Sequence, residues 1–254
     1  MTLPASDPLA PLLDLADVAD EFAQARATVD TALRHQALRR HGGQLAGLAA
    51  LRAAQASAAI EGHDYPMEEI QSGVVTDPVV QGALRVTEAA PQLADAWGRA
   101  PLQVLARLHV LAARGLAAAE ALGRPGESPL PPAEVSDRLN RLAALVAGGS
   151  EAPALLLAAV VHGELLALRP FGQGNGVVAR AAARLTLVQR GFDPRALAVP
   201  EAGHLARLPE YTGAAGAYAT GTSDGLRSWL RHCATAISLG AAETVALAGR
   251  ISAG

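Results

Sequence analysis

The chain has 254 residues, 50% of them hydrophobic but only 3% aromatic, and a formal net charge of −3. That length fits one large domain or a core with a small appendage, and the slight negative charge offers nucleic acid or an anionic membrane no general attraction. The single cysteine, Cys233, excludes an internal disulfide framework and any site built on several thiolates; its simplest reading is a small apolar residue on a helix.

A core with so few aromatics must be built from Leu, Ala and Val. Ala and Leu head the helix-propensity scale, Gly and Pro are spaced as punctuation, and no segment alternates with period two. An all-α protein is expected. Residues 1–13 read as a mobile leader that lacks the basic start and apolar run of a signal peptide. Asp14 or Asp17 is placed to cap a first helix with Val18, Phe22, Ala25, Val29 and Leu33 on one face. Arg39, Arg40 and His41 fall near its end, and Gly42-Gly43 breaks the chain. A second helix runs from about Gln44 to Glu61 and stops at Gly62. Asp64-Tyr65-Pro66 is a turn into a short helix through Ile70.

Residues 78–100 carry two helical pieces split at Pro91. Pro101 opens a helix with Leu102, Leu105, Leu108, His109 and Leu111. Residues 123–132 form a proline- and glycine-rich loop. The next helix has Val135, Leu139, Leu142 and Val146 on one face and ends at Gly148-Gly149. Pro153 opens the most apolar helix, which ends near Leu168; its run Ala154 to Val161 is too short to cross a bilayer. A glycine-rich loop leads into a helix from Val177 to Arg190, closed by Gly191 and Pro194. Tyr211 to Ala219 and Leu226 to Arg250 supply the last helices. A cytoplasmic protein without membrane or nucleic-acid partners is expected.

The informative loop is Arg169-Pro170-Phe171-Gly172-Gln173-Gly174-Asn175-Gly176, followed by Val177-Val178-Ala179-Arg180. A glycine-rich loop feeding a helix presents unpaired backbone N–H groups at the positive end of the helix dipole. Such a terminus suits phosphate. Arg180, one turn in, and Arg169, just before the loop, are placed to clamp an anion with bidentate guanidinium contacts. A plain inter-helix turn explains the glycines equally well. Two other phosphate motifs do not fit: no Gly-Lys-Ser/Thr follows, and the preceding segment is helical where a dinucleotide fold needs a strand.

The loop resembles the signature of the Fic/DOC (Fido) family: His, Pro, Phe, any residue, Asp or Glu, Gly, Asn, Gly, Arg, two residues, Arg. The resemblance extends to His162, seven residues before Arg169, and to the helix around Leu102–Leu111. It continues through Pro209-Glu210-Tyr211 and the segment Gly225 to Leu230 with Trp229, covering roughly residues 100–240. It implies a Fic-like helical bundle (99–254) carrying an N-terminal helical region (1–98). Within that region Ser57-Ala58-Ala59-Ile60-Glu61-Gly62 is similar to the family's inhibitory pattern, Ser/Thr, three residues, Glu, Gly/Asn. The resemblance makes Ser57, Glu61 and Gly62 regulatory, with Glu61 reaching Arg180 and blocking the ATP γ-phosphate.

Ligand-binding positions carried over are Arg169, Phe171, Gly172, Gln173, Gly174, Asn175, Gly176 and Arg180. Three of the family's functional side chains are replaced. The base position holds Arg169, which stays protonated and cannot accept a proton. The metal-ligand position holds Gln173, a poor donor for Mg²⁺, and the first motif arginine is Val177. The family's target-aligning flap corresponds to residues 123–132, which look shortened. Among the histidines, His162 and His109 are expected as buried scaffold, His63 is a minor candidate base, and His204 and His232 are expected at the periphery.

Three readings follow from the sequence. The first is a catalytically inactive Fic-fold protein of regulatory or interaction type, binding ATP, another nucleotide or a phosphate ligand without Mg²⁺, with no metal site. The second is a nucleotidyl or phosphoryl transferase with altered chemistry, autoinhibited by Glu61. The third is an unrelated helical protein. An unidentified protein partner and a homodimer are expectations of the resemblance.

Overall fold

The computed structural model describes residues 3–4, 6–36 and 42–253. Arg39, Arg40 and His41 lie outside the described residues. Among the described residues there are twelve α-helices: α1 (Ala10–Leu13), α2 (Val18–Leu33), α3 (Gly42–Ile60), α4 (Met67–Gln71), α5 (Pro78–Trp97), α6 (Pro101–Ala113), α7 (Pro132–Ala144), α8 (Ala154–Leu168), α9 (Asn175–Gln189), α10 (Pro200–Ala206), α11 (Leu208–Tyr218) and α12 (Ser223–Ala253). No strand occurs among them beyond one isolated bridge, Arg114 to Ala117, so the chain is all-α. No helix among the described residues is long and apolar enough to cross a membrane.

Helices α8 and α9 form the centre. The sequence of α8 is apolar all round, and such a helix must be covered on every side; Leu155 to Gly163 are buried without interruption. It packs along α9, while α9 also packs on α5 and α6. Helix α3 lies between α5 and α10, and the long α12 runs past α2, α10 and α11. One hydrophobic cluster runs from Leu9 through Ile237 to Ala241. The two indoles are tied into it by their N–H groups: Trp97 Nε1 donates to Thr186 Oγ1 at 2.9 Å and Trp229 Nε1 to the Ala159 carbonyl at 2.8 Å.

Several boundaries differ from the sequence expectation. Pro91 does not split α5, which runs unbroken from Pro78 to Trp97. An interior proline costs about 3 kcal/mol. Burial of Val80, Ala83, Val86, Ala90, Ala94 and Trp97 along one face, at about 0.8 kcal/mol per buried methylene, exceeds that cost. Gly42 and Gly43 belong to the first turn of α3 rather than to a break.

The described part of the leader is packed. Asp7 and Leu9 are buried, and the Asp7 carboxylate accepts from Leu9 N, Ser150 Oγ and Glu151 N at 2.7 to 3.1 Å. Asp17 stands at the N-cap of α2 with φ of 66° but makes no capping bond; its carboxylate accepts from Arg227 instead. Leu102 is 40% exposed, off the buried face of α6. Helix α10, opened by Pro200, was not foreseen: its two buried polar residues, Glu201 and His204, hide it from a pattern of apolar spacing.

Candidate functional site

The site is assembled where the end of α3 meets the start of α9. Helix α3 closes with a Schellman cap: Gly62 N donates to Ala59 O at 2.9 Å and His63 N to Ala58 O at 3.0 Å. The cap needs a left-handed residue, and Gly62 has φ of 91°. Glu61 is therefore the last residue before the reversal, and the cap geometry turns its side chain toward α9.

Arg180 waits there, 3% exposed. Its Nε donates to Ser57 Oγ (2.9 Å), and its Nη2 to Ser57 O (2.9 Å) and Glu61 Oε1 (2.8 Å). Its Nη1 reaches Tyr211 Oη at 3.4 Å. Burial alone would lower the guanidinium pKa, but Tyr211 and Glu61 outweigh it and the pKa is raised. Arg180 is a fixed buried cation. Glu61 is the looser partner, with 35% of its side chain exposed. A Cβ placed on Gly176 would stand 2.0 Å from Glu61 Oε1. The carboxylate thus sits directly against the first turn of α9, where free N–H groups and the helix dipole favour negative charge.

The loop is braced from within and from α6. Asn175 Oδ1 accepts from Phe171 N at 3.0 Å, and its Nδ2 donates back to Phe171 O. The buried Phe171 ring stacks on His109, centroids 4.0 Å apart. His109 Nδ1 accepts from Gly123 N at 2.9 Å, so one imidazole holds both the glycine loop and the segment 123–132. Burial lowers the His109 pKa against a contact with the Gln173 backbone. Gly126 N donates to Pro170 O at 2.9 Å, which lays the 123–132 segment beside the loop.

The structure brings Ser57, Glu61, Gly62, Gly176 and Arg180 together. Asn175 and Phe171 serve the loop's own geometry. Arg169, at φ of 45°, and Gln173 are exposed, and Val177 is buried.

The histidines correct one expectation. His204 and His232 are not peripheral; both are buried, at 4% and 2% exposure. His204 Nδ1 lies 2.9 Å from His232 Nε2, and His232 Nδ1 lies 3.3 Å from Glu210 Oε1. Because the carboxylate can only accept, His232 carries its proton on Nδ1, its Nε2 accepts, and His204 donates from Nδ1. His162 lines a cavity of about 30 Å³ with Arg180, Glu201, His204 and Cys233, and its Nε2 lies 3.0 Å from Tyr211 Oη. That hydroxyl accepts from Arg180 and shares a hydrogen bond with the His162 imidazole. Burial first, then Arg180 and the neighbouring histidines, hold His162 and His204 well below the ordinary imidazole pKa. Both are neutral scaffold, as is the Cys233 thiol, whose pKa burial pushes up. The role of Tyr211 as the link between Arg180 and His162 was not visible in the sequence; the resemblance of Pro209-Glu210-Tyr211 to the family pattern was its only trace.

The sequence model of the Fic/DOC family matches residues 35–187. The chain belongs to the Fic/DOC family. Solved structures agree on the fold. A Fic family protein from Desulfovibrio desulfuricans G20 is 20% identical, with a TM-score of 0.73 over 92% of this chain and 74% of that one. Fic-1 (residues 134–508) from C. elegans is 19% identical, with a TM-score of 0.69 over 93% of this chain and 73% of that one. No curated protein sequence matches the chain.

The residues at the loop do not suit a divalent cation. Mg²⁺ needs hard, preferably charged oxygen donors. Gln173 offers a neutral amide, with the Arg169 guanidinium in the same loop. No group of three His, Cys, Asp or Glu among the described residues is arranged to hold a metal.

Proposed function

We propose that this Fic-fold protein is catalytically inactive and works by binding, as a regulatory or interaction protein whose glycine-loop site takes a nucleotide or another phosphate-bearing ligand without Mg²⁺. Arginine at position 169 cannot accept a proton, and losing a general base alone costs about 10²–10⁴-fold in rate. Gln173 does not neutralise a metal-bound phosphate, and Val177 supplies no charge. Phosphoryl-type transfer depends on positioning and charge neutralisation, and both supports are missing from these side chains.

The observation that carries the binding reading is the Glu61–Arg180 pair, 2.8 Å apart against the first turn of α9. A carboxylate there stands in for an anion, so an incoming phosphate must displace it. Glu61 lies in the N-terminal helical region (1–98) and Arg180 in the core (99–254), so the latch joins the two parts. The reading includes a cytoplasmic location, an unidentified protein partner and a homodimer.

The test is calorimetric titration with ATP, ADP and AMP, on the wild type and on Glu61→Gly, without divalent metal. Binding that tightens in Glu61→Gly supports the reading. Absence of heat and of any thermal shift in both forms removes ligand binding and leaves a scaffold.

A second reading, an altered nucleotidyl or phosphoryl transferase of AMPylation type held off by Glu61, is favoured by the Gly174-Asn175-Gly176 frame and Arg180. Self-labelling by labelled ATP, with Mg²⁺ or Mn²⁺, would establish it and overturn the inactive reading.

A further inference from the structure

The latch has a fixed half and a loose half. Arg180 is held by Ser57 twice and by Tyr211, so it stays in place when Glu61 leaves. Ser57 also ties the body of α3 to α9, so release of Glu61 does not require α3 to undock. Only the last turn of α3 has to give. What anchors that turn therefore sets how readily Glu61 yields its place.

The anchor lies just past the cap. His63 Nδ1 is 2.8 Å from Asp77 Oδ2, and Tyr65 Oη donates to the same oxygen at 3.3 Å. The other oxygen, Asp77 Oδ1, accepts from Val79 N (2.9 Å) and Val80 N (3.2 Å) and caps the start of α5. One carboxylate thus joins the end of α3 to the start of α5, the helix that packs on α9. Burial opposes the charge on Asp77, but hydrogen bonds from His63, Val80 and Val79 outweigh it and lower its pKa. The segment between is tied on both sides: Gln55 Nε2 donates to Tyr65 O at 3.0 Å and Gln81 Nε2 to Val75 O at 2.7 Å.

Resting on the anion-site reading above, we propose that His63, Tyr65 and Asp77 form a clasp that positions Glu61 and sets how strongly it competes with an incoming phosphate for Arg180. The three are positioning residues. His63 supplies the amide that completes the Schellman cap, and that cap orients Glu61. When the clasp opens, the cap frays, Glu61 loses its preset direction, and Arg180 becomes available at lower cost.

The test is a double-mutant cycle read by ATP titration without divalent metal. His63→Ala with Tyr65→Phe removes the clasp and leaves the Asp77 cap of α5 intact. In the wild-type background ATP affinity should rise roughly three- to tenfold, the range for losing about one ordinary net hydrogen bond. In the Glu61→Gly background the same pair should change nothing, because the group it positions is gone. Equal gains in both backgrounds, or no gain where Glu61→Gly alone gives one, would overturn the clasp. If Glu61→Gly leaves ATP affinity at the wild-type value, the anion-site reading itself falls and the clasp falls with it. Should the double variant not fold, amide exchange at Gly62 and His63 in His63→Asn against wild type gives the same answer: faster exchange in the variant supports the clasp, and unchanged exchange sinks it.

Discussion

Gly176 and Glu61 share one space: a Cβ on Gly176 would stand 2.0 Å from Glu61 Oε1 and 3.1 Å from Arg180 Nη1. The glutamate is the flexible, partly exposed member, so it is the one that must move. Gly176→Ala is therefore expected to expel Glu61 to solvent. Alanine would gain up to about 1 kcal/mol in helix propensity, but a lost charged hydrogen bond costs about 1.5–3 kcal/mol. A net loss of roughly 0.5–2 kcal/mol follows when the full propensity gain is realised. Denaturant unfolding of Gly176→Ala, Glu61→Gly and the double variant checks it: the effects should overlap, and strict additivity would show that the two residues do not act on one contact.

The cap explains why the motif ends as it does. Gly62 sits at φ of 91°, a conformation that costs most L-residues about 1–2 kcal/mol while asparagine tolerates it better. Gly62→Val should lose at least that much stability, and Gly62→Asn clearly less. Thermal denaturation of the two variants decides; equal losses would mean that the turn is not set by backbone conformation.

The sequence made the frame of this protein legible because its signals are local. An all-round apolar α8, a proline at the start of a helix and a glycine at the end of one are read within a few residues, as is the order of Ser57, Glu61 and Arg180. What escaped depends on distance. Nothing in a single helix says that His204 faces His232 from 28 residues away, or that Asp77 reaches back to His63. That the Asn175 side chain closes the loop on Phe171 is likewise not legible in the motif. Pro91 misled because local cost was weighed without the burial that offsets it. The leader misled because nothing within residues 1–13 shows that Ser150 and Glu151 come to meet Asp7.

The buried histidines make stability depend on pH above the range of the carboxylates. His162 and His204 have folded pKa values well below the ordinary imidazole value, through burial first and then the nearby Arg180 and histidines. The unfolded chain therefore binds more protons than the folded one once pH drops below about 6.5. Their contribution is complete well above that pH and declines steadily as pH falls below it. Asp7, Asp77 and Glu210, whose pKa values are lowered by hydrogen bonds that overcome burial, lose their contribution only further down, as pH falls below the ordinary carboxylate values of about 4. Denaturation midpoints at pH 7.5, 6.5 and 5.5 should fall in sequence. A flat profile over that range would mean that the histidines are solvated in the fold, and a rising one that they are charged there.

The Arg184–Glu201 pair gives the largest expected loss. Both side chains are 5% exposed and 3.0 Å apart, and Arg184 also donates to Ala196 O. This links α9 to α10 and to the turn before it, one helical turn beyond Arg180 on the same face of α9. Glu201→Gln removes the charge without changing shape much, leaving a buried guanidinium short of its counter-ion. Breaking a buried pair in this way costs about 3–5 kcal/mol, more than any loss expected at the latch, where Glu61 is partly exposed. Replacing both with Arg184→Met and Glu201→Leu should restore most of that loss, since apolar residues of similar volume avoid the desolvation cost altogether. Urea unfolding of the single and paired variants checks the order. A single variant as stable as the wild type would show that water reaches the pair, and a paired variant worse than the single one would show that the charges themselves hold α10 against α9.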